Sequence, residues 1–219
     1  QVFVQLSPLT AFDADTGEVV WTNPDVKATN SSPATWGDLV ICNSSNEVIG
    51  VDRITGETVW TAPGGGDGTP AIYDDVLVLS SKAEGANLIA YDLTTGAPPT
   101  KRWSHEFLAR RYGSSPIISG DHVFHLGSER HLCLDLATGE IEWEREAQSS
   151  ISSPLLADGK LLVYENRGGF LNLLKADAAD YTSVGRTKIG ALYCASPALV
   201  GKRLYFRTQD SVACFEFPE

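Results

Sequence analysis

The strongest constraint on this chain is an eleven-residue pattern that it repeats. The pattern reads Ala11-Phe-Asp-Ala-Asp-Thr-Gly-Glu-Val-Val-Trp21, then Gly50-Val-Asp-Arg-Ile-Thr-Gly-Glu-Thr-Val-Trp60. It returns in shorter form as Ala90-Tyr-Asp-Leu-Thr-Thr-Gly-Ala97 and in full as Cys133-Leu-Asp-Leu-Ala-Thr-Gly-Glu-Ile-Glu-Trp143. The turn glycines Gly17, Gly56, Gly96 and Gly139 are spaced by 39, 40 and 43 residues. A fixed period in this range marks a repeat architecture, in which each unit buries its faces against its neighbours.

A second marker runs between copies of the first. It is a Ser/Thr-Pro step: Ser32-Pro33, Thr69-Pro70, Ser115-Pro116, Ser153-Pro154 and Ser196-Pro197. Each step leads to a polar turn and then a β-rich run such as Val76-Leu-Val-Leu79 or Leu161-Leu-Val-Tyr164. Two short strands around a Gly/Asp turn form a hairpin. A third strand leads into the Asp-x-x-Thr-Gly turn, and a fourth carries the tryptophan. Each unit is therefore expected to be four short antiparallel strands. No segment keeps a 3.6-residue period over three turns, so helix is expected to be nearly absent.

The turn has a mechanical logic. Glycine accepts the positive φ of a tight turn, while Asp and Thr side chains bond back to the backbone. The tryptophan projects from the outer strand, where its ring can cover the next unit. Trp21, Trp60 and Trp143 fit this docking role, and Trp103 fits it with Pro98-Pro99-Thr100 read as an inserted bulge. The fifth unit lacks both Thr-Gly and Trp in Leu173-Leu-Lys-Ala-Asp-Ala-Ala-Asp-Tyr181, although residues 184–189 are still expected to form an outer strand.

These features resemble the tryptophan-docking repeats of the PQQ-like β-propellers, over essentially the whole chain. That superfamily includes quinoprotein alcohol dehydrogenases, outer-membrane assembly lipoproteins of the BamB type and non-catalytic bacterial propellers. The resemblance implies an all-β propeller of four-stranded antiparallel blades. Five to six blades are visible, as part of about seven or eight. The expected organisation is one domain over residues 1–219: a partial blade at 1–30, blades at about 31–66, 67–112, 113–150 and 151–192, and a partial blade at 193–219. The resemblance also implies a periplasmic, extracellular or cell-envelope location.

Composition narrows the partners. A net charge of −11 argues against nucleic acid and against docking on anionic lipid. No apolar run approaches the roughly 18 residues of a membrane-spanning helix. No signal peptide is visible. The chain has no methionine and opens at Gln1 directly into an apolar strand, so a piece of a longer polypeptide or a processed form is expected. The four cysteines form no Cys-x-x-Cys pair. Zinc-ribbon and thioredoxin-type redox chemistry are therefore unsupported. Cys133 and Cys214 share the repeat slot of Ala11, Gly50 and Ala90, where a free cysteine serves as a small hydrophobe.

The residues also argue against catalysis. The resemblance implies that a quinoprotein dehydrogenase would carry an adjacent Cys-Cys pair, a catalytic Asp and Glu/Asn ligands for calcium. No adjacent cysteines exist here, and no such acidic set can be matched. Gly64-Gly-Gly-Asp-Gly68 lacks the Lys-Ser/Thr and following helix of a phosphate cradle and reads as a loop. His125 falls at an inward-facing strand slot, so a core or seam role is expected. No cofactor and no metal are expected.

The reading is a non-catalytic binding or scaffolding module. The alternatives are a segment of a PQQ-dependent dehydrogenase whose site lies elsewhere, or a subunit docked in a larger assembly through an open edge. A protein, peptide or glycan partner would meet the loops that enter the Ser/Thr-Pro strands, on the channel face. Candidates there are Asn30, Asp67, Arg111, Tyr112 and Tyr193.

Overall fold

A computed structural model describes residues 1–27, 29–106, 114–126, 130–146, 152–165, 169–191 and 195–217. Among them there is no helix, and the strands form six antiparallel sheets. The first sheet holds β1 (Val2–Gln5), β2 (Leu9–Phe12) and β3 (Val19–Asn23). The second holds β4 (Ala34–Trp36), β5 (Leu39–Asn43), β6 (Glu47–Asp52) and β7 (Thr58–Pro63). The third holds β8 (Ala71–Tyr73), β9 (Val76–Ala83), β10 (Ala86–Thr94) and β11 (Ala97–His105). The fourth holds β12 (Ile117–Ser119), β13 (His122–Leu126), β14 (Arg130–Asp135) and β15 (Ile141–Glu146). The fifth holds β16 (Leu155–Ala157), β17 (Lys160–Glu165), β18 (Phe170–Lys175) and β19 (Ser183–Lys188). The sixth holds β20 (Ala198–Val200), β21 (Arg203–Arg207) and β22 (Val212–Glu216). In every sheet the strands pair in chain order, which is the architecture of β-propeller blades.

Backbone contacts divide the chain into two compact units, Gln1–Leu108 and Ala109–Glu219. Each contains three sheets. In the first unit, β5 is buried along its whole length. Its alternate residues serve two different seams. Val40 and Cys42 pack with Leu9 and Val26 towards the first sheet, while Leu39 and Ile41 pack with Leu77 and Leu79 towards the third. A strand covered on both faces has no need to alternate polar with apolar, which is why these runs are continuously hydrophobic. The second unit repeats the arrangement: Leu161 and Val163 join Phe124 and Trp143, whereas Leu162 and Tyr164 join Leu204 and Phe206.

The Asp-x-x-Thr-Gly turns form as their chemistry dictates at three sites. Asp52 Oδ1 accepts the backbone N–H groups of Ile54 and Thr55, both at 2.8 Å, and Gly56 has φ +77°. Asp13 and Asp135 make the same bonds to Thr16 and Thr138. These donors favour the ionised carboxylate and hold all three aspartates below the usual carboxylate range. The third sheet differs. Pro98-Pro99-Thr100 lies within a nine-residue β11, and the step from the Asp92–Thr100 pair to the Thr94–Ala97 pair leaves one extra residue on β11 at Pro98–Pro99, a bulge where the insertion was expected. The hairpin is longer, so its tip moves away from Asp92, whose carboxylate takes Arg102 Nε at 2.7 Å.

Within each of the two units, the residue before the recurring proline ties one sheet to the next. Ser32 N–H donates to Thr69 Oγ1 at 3.0 Å, Ser115 and Ser153 hydroxyls meet at 2.9 Å, and Ser153 N–H donates to Ser196 Oγ at 3.1 Å. Cys42 and Cys133 are buried free thiols, pushed up to about 12 by burial and, for Cys133, next by Glu142 and Asp177. Cys214 is free but exposed, because β22 is an edge strand of its sheet.

Candidate functional site

The glycine-rich segment after β7 is a packed strap. Asn43, at the end of β5, is completely buried and organises it. Asn43 Nδ2 donates to the carbonyls of Gly68 (3.1 Å) and Ser80 (3.0 Å), and Oδ1 accepts Gly65 N–H at 2.9 Å. Its backbone carbonyl accepts Gln5 Nε2 at 2.9 Å and Thr29 Oγ1 at 3.1 Å. Gly65, at φ +86°, leaves no room for a side chain: a Cβ there would stand 2.6 Å from Asn46 Cα. The backbone amides of a phosphate cradle point at open space, whereas Gly65 and Gly66 spend theirs on Asn43 and Ser44.

This strap carries Asp67. Asp67 Oδ1 accepts both the backbone N–H and Nδ2 of Asn30, each at 3.3 Å, and Oδ2 lies 3.7 Å from Lys82 Nζ. The structure therefore brings together two of the candidate residues, Asn30 and Asp67, from successive repeats. Sequence reading missed Gln5, Asn43 and Lys82. Asn43 carried a signal, a carboxamide closing the otherwise apolar run Leu39-Val-Ile-Cys. The other three candidates, Arg111, Tyr112 and Tyr193, lie outside the described residues.

The corresponding strand ends of the second unit hold a different cluster. His131, on β14, is 1% exposed and stacks on Tyr181 with ring centroids 5.9 Å apart. Its Nε2 lies 3.4 Å from Glu165 Oε1, and Glu165 Oε2 lies 3.5 Å from Arg186, whose guanidinium caps the Phe170 ring. His125 is buried on β13, and burial together with neighbouring His131 lowers its pKa to about 4. Among the described residues, no group of three or more His, Cys, Asp or Glu side chains is placed to hold a metal ion.

Trp21, Trp60 and Trp143 each lie against the next sheet. Trp21 Nε1 donates to the Arg53 carbonyl of the second sheet at 3.0 Å, and its ring lies against Gly56. Trp143 Nε1 donates to the Asp177 carbonyl at 2.8 Å and meets Tyr181 edge-on. Trp60 is 5% exposed within the apolar seam shared by the second and third sheets, and Trp103 is buried beside His105.

Residues 7–184 match the family described as outer membrane protein assembly factor BamB. The chain belongs to this PQQ-like propeller family. The BamB of Xanthomonas campestris pv. campestris is 29% identical over 133 residues, covering 59% of this chain and 32% of that protein. The chain thus spans about a third of the length of that curated relative. The crystal structure of BamB from Moraxella catarrhalis superposes with a TM-score of 0.72 at 18% identity, over 96% of this chain and 67% of that one. The quinohemoprotein alcohol dehydrogenase of Comamonas testosteroni superposes with a TM-score of 0.71 at 14% identity, over 93% of this chain and 49% of that one. At these identities the two structures share the fold. No helix among the described residues is long and apolar enough to cross a membrane.

Proposed function

We propose that this chain is a non-catalytic BamB-like propeller module that binds a protein partner in a cell-envelope assembly. Its blades belong to one propeller domain, and the docking tryptophans keep them rigid. The partner meets the loops that enter the innermost strands, which form the channel face. Arg111, Tyr112 and Tyr193 extend that surface beyond Asn30 and Asp67. The observation that carries the reading is the Asn30–Asp67–Lys82 group: three polar side chains from successive repeats, tied together above a buried carboxamide. A preorganised polar surface suits recognition, because its side chains lose little freedom on binding. Family membership supports a protein partner, since the matched relatives are named for assembly of outer-membrane proteins.

Affinity capture from solubilised outer membranes tests this reading. The chain is expected to retain a defined set of envelope proteins that an Asn30→Ala/Asp67→Arg variant of equal melting temperature loses. Alcohol oxidation by the purified chain supplied with PQQ and calcium would overturn it in favour of a dehydrogenase segment.

A further inference from the structure

In the first four sheets, the residue opposite the outer-strand tryptophan is small. The pairs are Ala11 with Trp21, Gly50 with Trp60, Ala90 with Trp103 and Cys133 with Trp143. A register shift follows each pair at once. The fifth sheet shifts register at the equivalent place, and there the sizes are exchanged: Leu173 faces Gly185. Paired residues of an antiparallel ladder point to the same face of the sheet, so the ring is missing from the face that Leu173 covers. The space is open on that side, for the atom within 4 Å of a Cβ at Gly185 is Leu173 Cβ, 3.9 Å away.

Leu173 also lines a cavity of about 430 Å³ between the fifth and sixth sheets. Leu162 and Leu173 stand on the fifth-sheet side, Leu199 and Phe217 on the sixth. Asp158 and Gly201, both exposed turn residues, complete the lining and open the cavity to solvent. Its size falls within the roughly 300–1,000 Å³ of small-molecule sites.

The other seams show what such a space accepts. Trp21 and Trp143 each lay an indole against the next sheet and donate the ring N–H to a backbone carbonyl just past its third strand, that of Arg53 or Asp177. Phe217 holds the repeat position of Arg53, because Glu216 pairs with Arg203 as Asp52 pairs with Leu39. Its own N–H donates to the Lys202 carbonyl at 2.9 Å, as the Arg53 N–H donates to Asp38 at 3.0 Å. The backbone that receives an indole in the first unit is thus repeated here without one.

We propose that this cavity binds an uncharged bicyclic aromatic that carries a ring N–H, of which indole is the simplest. The ring takes the place of the absent tryptophan between the Leu173 and Phe217 walls, and its N–H donates to the Phe217 carbonyl. Apolar burial supplies most of the affinity, and the N–H sets the orientation.

Methyl-detected NMR titration of the unaltered chain with indole tests the site. Saturable ring-current shifts are expected at the methyls of Leu162, Leu173 and Leu199, with Leu77 and Leu79 of the first unit unmoved. 1-Methylindole, which lacks the N–H, should bind about fivefold more weakly. A Leu173→Ala/Gly185→Trp variant restores the small–large pair and fills the cavity from within, so it should lose indole binding by about tenfold or more. If that variant does not fold, the methyl shifts and the 1-methylindole comparison decide. Absence of saturable shifts, or shifts that spare those three leucines, would overturn the proposal. So would 1-methylindole binding as tightly as indole, or undiminished indole binding by the folded double variant.

Discussion

Gly50 lies directly beneath the indole of Trp60. The two face each other across β6 and β7, and a Cβ at Gly50 would stand 2.6 Å from Cζ2 and 2.7 Å from Nε1 of the ring. The absence of one side chain thus seats the other in the seam with the third sheet. Trp60→Ala is expected to destabilise the chain by about 3–5 kcal/mol, the range for emptying a buried aromatic site. Gly50→Val should cost about 1–3 kcal/mol by overpacking. In a double-mutant cycle the two losses should not add, because the second change removes the clash of the first. Urea unfolding measures all three. A loss below about 1 kcal/mol for Trp60→Ala would show that the ring is not an anchor.

Asn43 satisfies three groups of the glycine strap with one buried carboxamide. Asn43→Leu leaves those groups without their partner, at a cost of about 1–3 kcal/mol for each buried group that water cannot reach. Hydrogen exchange localises the effect. The Gly65 amide should lose protection, while Ile89 in the neighbouring strand should keep most of its own.

Acid should weaken the second unit in two stages. Burial holds His125 neutral down to about pH 4, whereas the unfolded chain takes up that proton near 6.5. The unfolded state therefore binds more protons between these values. The stabilisation is complete above pH 6.5 and falls as pH drops to about 4, by about 3 kcal/mol in total. Asp135, held below the ordinary carboxylate range by Thr138, loses its contribution only at lower pH, below the ordinary carboxylate value of 3.8. His125→Leu places an apolar residue in a slot that Leu79 and Val163 fill in other repeats. It should flatten the first stage and leave the second. Melting temperature followed from pH 7 to 3 distinguishes the two stages.

The repeat carried most of the fold because its two markers fix both ends of each strand set: the proline opens the innermost strand and the Asp-x-x-Thr-Gly turn closes the third. Asn30 and Asp67 were legible as equivalent positions, because both stand three residues before a proline, but their contact was not. The bulge at Pro98–Pro99 was legible because the insertion lengthens the step from Gly96 to Trp103, whereas the longer hairpin of the third sheet was not, since an insertion and a longer hairpin leave the same spacing in sequence. The exchange of Leu173 and Gly185 was not legible, because losing the tryptophan also loses the landmark that aligns the unit. The Glu165 cluster joins β14, β17 and β19, and no local pattern announces such a convergence.

Site-specific photocrosslinking tests the proposed binding surface most directly. A benzoylphenylalanine at Asn30 reports on the loop side of the first unit. One at Tyr73, 45% exposed at the other end of β8 from Asp67, reports on the opposite side. In envelope extracts, the probe at position 30 should form a discrete adduct with a partner protein, and the probe at position 73 should not. Equal adducts at both positions, or an adduct at position 73 alone, would contradict a partner-binding face built on the innermost-strand loops.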